Sequence, residues 1–211
     1  MSGRDRPTLV PPDDLGPVVE ALAAGLVVAV PTDTVFGLAS VLDPAAVERI
    51  FAAKGRPSDL ALPVLVGRAD QVDAVASSFE EPARTLARRF WPGALTLVVP
   101  ARPPVGALVG GPGTTVGVRW PDHPVVTELC AALGPLAVTS ANRHGQPPCT
   151  SAAQVHEQFR AVEVAVVVEG RAEGVPSTVV DCTGPGPRCL REGAVSWATL
   201  VAALEGGPPA S

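Results

Sequence analysis

Lysine is almost missing from this chain of 211 residues. Fifteen of the 16 basic residues are arginine, and Lys54 is the single lysine. Average composition would supply on the order of ten lysines. Composition alone leaves two readings of Lys54: an arginine-biased coding style, or a position that needs a compact ammonium. Tyrosine is absent altogether. The four cysteines, Cys130, Cys149, Cys182 and Cys189, form no CxxC and no zinc-ligand spacing with histidine, so no structural zinc site and no metal ligand set is expected. Scattered free thiols fit a reducing cytoplasm. No run approaches ~18 uninterrupted apolar residues, which argues against a membrane helix. The opening MSGRDRPTLVPPDDLG has no apolar segment of the kind a secretory leader carries. There is no Walker A pattern and no GxGxxG, so any nucleotide is held without a standard glycine loop. The three histidines (His123, His144, His156) join no Ser-His-Asp or Cys-His arrangement, and each reads as structural or solvated. A formal net charge of −5 argues against broad nucleic-acid coating, while a local basic patch stays open.

What is present is a globular composition. With 46% hydrophobic and 18% charged residues, the chain is not disordered, and its length suits one domain. No solenoid or propeller repeat is seen. Residues 1–12 and 206–211 read as flexible ends around one domain spanning 13–205. Within it, β-branched apolar runs alternate with helical patterns. Strands are expected over 26–30, 62–66, 94–99, 114–120, 135–140, 162–168, 177–182 and near 188–191. Helices are expected from Asp13 or Asp14 (as the cap) to Ala24, then over 44–53, 69–76, 81–90, 124–133, 151–159 and 196–204. The intervals are too irregular for a barrel or a simple doubly wound repeat. The expected fold class is a mixed α/β domain: one twisted, mixed sheet with helices packed on it.

Several segments carry chemistry. PTDTVFGLAS (31–40) follows the strand that Pro31 ends, and clusters Thr32, Asp33 and Thr34 at a strand's C-terminal end, where open α/β sheets place ligands. The alternative is a hydroxyl-closed turn. KGRPSD (54–59) sets Lys54 and Arg56 at a helix end, either as an anion site or as complements to the helix dipole. Arg119 stands inside an apolar strand, so it has a partner or an anionic ligand, or else faces solvent at an edge. TSAN (139–142) offers Ser140 and Asn142 directly after a strand. PSTVVD (176–181) and LREGAVS (190–196) add Ser177 and Arg191.

Taken in order, PTDTVFGL, KGRPSD, WPGALTLV, VGVRWPDHP, PLAVTSAN, PSTVVDCT and LREGAVS resemble the YrdC-like (TsaC) family of threonylcarbamoyl-AMP synthases over roughly residues 15–200. The resemblance implies a twisted sheet around a large, positively lined cavity. It also implies a nucleotidyltransferase that converts L-threonine, bicarbonate and ATP into threonylcarbamoyl-AMP and pyrophosphate. A separate threonylcarbamoyl transferase complex would then modify adenosine 37 of tRNA (the t6A modification). Residue by residue, it implies a catalytic set of Lys54, Arg56, Ser140 and Asn142. Threonine contacts fall to Thr32, Thr34, Arg119, Ser140 and Ser177, with Arg119 holding the carboxylate. ATP contacts fall to Lys54, Arg56, Ser58, Thr115, Asn142, Thr150, Ser151 and Arg191, with Mg²⁺ accompanying ATP.

Departures from the family pattern are Ala61 where proline is frequent, Phe36 where tyrosine is frequent, and His144 in place of a small residue. The expected setting is cytoplasmic, with no membrane or DNA partner and with tRNA as a conceivable further one. The competing readings are an RNA-binding protein that makes no adenylate, with Arg84, Arg88 and Arg89 as its basic face, and a related carbamoyl-transfer enzyme on the same fold. The second usually comes with zinc-finger and acylphosphatase segments, which this chain lacks.

Overall fold

The computed structural model describes residues 7–55, 60–143, 145–159 and 164–206. Among these, ten strands form one sheet: β1 (Thr8–Val10), β2 (Val28–Val30), β3 (Gly37–Val41), β4 (Val64–Leu65), β5 (Leu95–Pro100), β6 (Thr115–Arg119), β7 (Leu136–Ser140), β8 (Val166–Val168), β9 (Thr178–Asp181) and β10 (Arg188–Arg191). The helices are α1 (Gly16–Ala23), α2 (Pro44–Lys54), α3 (Val72–Val75), α4 (Ala83–Phe90), α5 (Pro103–Leu108), α6 (Pro124–Leu133), α7 (Ala152–Phe159) and α8 (Trp197–Leu204). The strand order is β1-β8-β2-β3-β7-β4-β6-β5-β9-β10. Four of the pairings are parallel (β1/β8, β2/β8, β4/β6, β5/β9) and the rest antiparallel. This is the mixed α/β sheet that the alternating pattern predicts.

Strand periodicity of two sends alternate side chains to opposite faces. Ala29, Leu38, Ala137, Val167, Leu97 and Val118 join one core, against Val47 and Ile50 of α2, Leu86 of α4, Val155 and Phe159 of α7 and Leu200 of α8. Val28, Val30, Val138, Val166 and Val168 join the other, against Val18 and Leu22 of α1 and Leu129 of α6. The second layer stops partway across the sheet. On that face β5, β6 and β9 present Thr96, Val98, Thr115, Gly117, Arg119 and Val179, and these line a cavity instead of a helix interface.

Some expectations need correction. Neither Asp13 nor Asp14 caps α1: Leu15 is the N-cap and offers no side-chain bond. Pro17, which lacks an N–H, reduces the unsatisfied donors of that first turn. Residues 8–10 of the expected loose N-terminal segment instead pair with β8 as a parallel edge strand, burying Val10. The segment GLASV (37–41) forms β3 although glycine, alanine and serine are poor strand formers, because it is enclosed between β2 and β7. The short helix α5 was also unexpected.

Candidate functional site

The loop 31–36 and residues of β5, β6, β7, β9 and β10 converge on the cavity, which has a volume of about 440 Å³, within the range of small-molecule sites. Its walls include Thr32, Thr34, Thr115, Arg119, Ser140, Ser177 and Arg191, seven of the residues expected from the sequence.

The loop 31–36 closes on its own hydroxyls. Thr32 Oγ1 donates to the Val35 carbonyl (2.7 Å) and accepts from the amides of Thr34 and Val35. A hydroxyl has one proton, so in the 3.0 Å contact between the two threonines Thr34 donates to Thr32. Thr34 Oγ1 in turn accepts from Arg119 Nη1 at 2.7 Å. The hydroxyl-closed turn and the cavity wall are thus the same residues.

Arg119 is buried on β6, an interior strand, so the edge alternative does not hold. Its Nη2 donates to Asp33 Oδ1 at 2.6 Å and its Nε to the Gly93 carbonyl at 2.9 Å. Burial pushes the Arg119 guanidinium below its ordinary range; Asp33 offsets this, and the nearby charge of Arg191 adds to it. Arg191, likewise depressed by burial, donates from Nε (3.2 Å) and Nη2 (2.8 Å) to the Ser177 carbonyl. A register shift between Cys189 and Arg191 bends β10 at this point, a common way of re-aiming a side chain. Two guanidiniums that repel each other across one cavity make an anion-binding wall.

Lys54 sits at the last turn of α2, which Asp43 caps at its start and Gly55, at φ +61°, ends. The ammonium does not serve the helix dipole from the surface. It is 4% exposed and turns inward to the Ser140 carbonyl (2.5 Å), Ser140 Oγ (3.1 Å) and Asn142 Oδ1 (2.9 Å). Asn142 Oδ1 also accepts from Ser140 Oγ at 2.6 Å, and its Nδ2 donates to the carbonyls of Arg143 and Gln146. Lys54, Ser140 and Asn142 therefore form one network at the cavity edge, although 86 residues of chain separate Lys54 from Ser140.

Thr150 and Ser151 are not in the cavity wall. Ser151 Oγ accepts from the Gln154 amide while Gln154 Oε1 accepts from the Thr150 amide and hydroxyl, a reciprocal cap on α7. Arg56, Ser58 and His144 lie outside the described residues. Thr96 escaped the sequence reading. It is buried on β5, lines the cavity and shares a 2.8 Å hydrogen bond with Ser177 Oγ; a hydroxyl within the otherwise apolar ALTLVV was the available signal. Of the supposed basic face, Arg84 and Arg88 are exposed and paired with Glu80 and Glu81, at 3.7 and 3.1 Å. His123 is half-buried with its Nδ1 unpartnered, and burial pushes its pKa down. Among the described residues, no group of three or more His, Cys, Asp or Glu could hold a metal, and no helix is long and apolar enough to cross a membrane.

Fold and site together define an α/β protein with a cavity lined by two arginines and several hydroxyls on the bare part of a mixed sheet. Comparison with known proteins narrows this class. The Sua5/YciO/YrdC family model, described as "Telomere recombination", matches residues 20–193. The chain belongs to this family. A putative threonylcarbamoyl-AMP synthase of Mycobacterium tuberculosis is 42% identical over 189 residues, covering 88% of this chain and 87% of that protein. The threonylcarbamoyl-AMP synthase of Pyrococcus abyssi is 43% identical over 172 residues, covering 80% of this chain and 51% of that one. The crystal structure of P. abyssi Sua5 complexed with L-threonine superposes with a TM-score of 0.87 at 36% identity. That match takes in 94% of this chain, which spans 60% of the Pyrococcus chain.

Proposed function

We propose that this chain is a threonylcarbamoyl-AMP synthase, joining L-threonine, bicarbonate and ATP into threonylcarbamoyl-AMP with release of pyrophosphate, for the t6A modification of tRNA. The observation that carries the reading is the pairing of Arg119 and Arg191 on one cavity wall with the Lys54–Ser140–Asn142 network at its edge. The threonine-bound Pyrococcus relative supports the identity of the amino acid.

Chemically, the threonine amine bonds to the bicarbonate carbon, with loss of water, to give an N-carboxylate. An oxygen of that carboxylate then attacks the α-phosphorus of ATP, the bond to the β-phosphate breaks, and pyrophosphate leaves. Two anions must meet, so fixed positive charge and positioning supply the catalysis and no protein nucleophile is needed. Arg119 holds the threonine carboxylate, with Thr32, Thr34, Ser140 and Ser177 around the amino acid. Arg191 and Thr115 face ATP from the cavity wall, while Lys54 and Asn142, which do not line the cavity, are assigned to the phosphates by family resemblance and reach the cavity through Ser140. Arg56, Ser58, Thr150 and Ser151 are assigned to ATP by family resemblance. Mg²⁺ would enter as part of the ATP substrate, bound to its phosphates.

The RNA-binding alternative loses support from the carboxylates that pair Arg84 and Arg88 on α4. The deciding experiment is pyrophosphate release with threonine, with serine and with no amino acid, each with ATP and bicarbonate. Release that depends on threonine and bicarbonate is expected; release indifferent to the amino acid would falsify the reading.

A further inference from the structure

Asp33 is ion-paired with Arg119 of the cavity wall, and nothing in the proposed reaction uses it. It does not line the cavity, whereas its partner Arg119 does. The two side chains are 16% and 7% exposed, and 2.6 Å separates Asp33 Oδ1 from Arg119 Nη2. Asp33 thus holds the arginine without lining the cavity itself.

The guanidinium is held at three points by two separate segments. Asp33 and Thr34 grip Nη2 and Nη1 from the loop 31–36, and the Gly93 carbonyl takes Nε. Of the five N–H groups of an arginine, two, one on each terminal nitrogen, have no partner among the described residues. That is the number a carboxylate takes in a bidentate pair. Arg119 would otherwise be unfavourable here, since burial and the charge of Arg191 both disfavour its cationic form, and Asp33 offsets them. A buried pair of this kind is weak evidence for stability as such. Its hold on an arginine of the anion-binding wall is what gives it a functional meaning.

We propose that Asp33 is the positioning residue for the substrate-carboxylate arm, fixing the plane of Arg119 so that its two remaining N–H groups meet threonine. The proposal rests on the synthase reading. Asp33 acts only through Arg119, so its removal should damage threonine binding and leave ATP binding alone.

The test is pyrophosphate release with threonine and ATP each titrated, for the wild type and for Asp33→Asn, Asp33→Glu and Asp33→Ala, with melting temperatures measured alongside. Asparagine keeps an acceptor oxygen in place without the charge; glutamate keeps the charge but moves it by a methylene. Positioning predicts that Asp33→Asn retains the KM for threonine best. Asp33→Glu and Asp33→Ala should raise it by about tenfold or more, the scale of one lost hydrogen bond to a charged group. The KM for ATP should stay within about twofold throughout, at that same scale. On an Arg119→Ala background, Asp33→Ala should add nothing to the threonine KM. The proposal is overturned if Asp33→Glu outperforms Asp33→Asn, if both KM values rise together, or if the threonine KM does not move. Should Asp33→Ala fail to fold, the order of Asn and Glu decides alone. A wild type that releases no threonine-dependent pyrophosphate would overturn the synthase reading itself. Wild-type turnover with an unmoved threonine KM in the variants overturns only the role of Asp33.

Discussion

Lys54 donates from one ammonium to a backbone carbonyl, a hydroxyl and an amide oxygen, and this explains why an arginine-writing chain keeps a lysine here. Three N–H groups radiating from a point suit three acceptors clustered around it, whereas a guanidinium presents its donors in a plane. Lys54→Met, which keeps most of the buried stem, should fold and lose about a hundredfold or more of its turnover at saturating ATP, on the scale of one removed charge-stabilising donor. Lys54→Arg should restore little of it. Near-normal pyrophosphate release by Lys54→Met would end the catalytic reading of this lysine. Thr96 offers a milder probe. Its hydroxyl is bonded to Ser177 Oγ, so the isosteric Thr96→Val removes the bond without opening a void. The expected outcome is a rise of about three- to tenfold in the threonine KM, in line with one neutral hydrogen bond, with a slightly lower urea midpoint because buried Ser177 Oγ loses that partner; an unmoved KM would remove Thr96 from the site.

Elements were legible in the sequence where hydrophobic periodicity and stop signals agreed. α2, α6 and α8, and the strands β5, β6, β7, β9 and β10, fall within a residue or two of the expected bounds. The misses have local causes. β3 lacks β-branched residues until Val41 and owes its strand conformation to its neighbours, and β1 is a three-residue edge next to two prolines. The site was legible as segments but not as contacts. TSAN and KGRP each showed polar groups after an element, yet only the fold brings Lys54 to Ser140 and Arg119 to Asp33. Gly37 shows the same limit. It stands opposite Ser140 in the β3/β7 register, and a Cβ there would lie 2.6 Å from Val138 Cγ1. Gly37→Ala should therefore cost about 1–3 kcal/mol through overpacking, read as a lower urea midpoint with unchanged slope, and β3 would shift the loop that carries Thr32 and Thr34. A midpoint equal to the wild type would mean that β3 and β7 separate freely.

For the molecule as a whole, the site lies where the α1/α6 layer stops and the sheet face is left bare. The two cores also bury Cys130 and Cys149 and half-bury Cys182. Burial pushes Cys130 up to about 12 and Cys149 up to about 11 against the lowering effect of Lys54. Burial, helped by Asp181, pushes Cys182 up to about 12. An unfolded thiol titrates near about 8.5. Between that pH and about 11 the unfolded chain therefore releases protons that the folded chain keeps, so the unfolded state holds fewer protons. Stability must then fall as pH rises through this window. Below about pH 7 these thiols are protonated in both states and contribute almost no slope. Urea unfolding at pH 8, 9 and 10 should show the midpoint falling steadily, and Cys130→Ala should flatten the fall after allowance for its lower starting stability. Native-state alkylation with iodoacetamide at pH 8, read by mass spectrometry, should spare Cys130, Cys149 and Cys182, because the reactive thiolate is suppressed, and any label should appear on Cys189. Rapid labelling of Cys149, beside the Lys54 charge, would mean that the Lys54–Ser140–Asn142 network opens readily, against the rigid positioning on which the proposed chemistry depends.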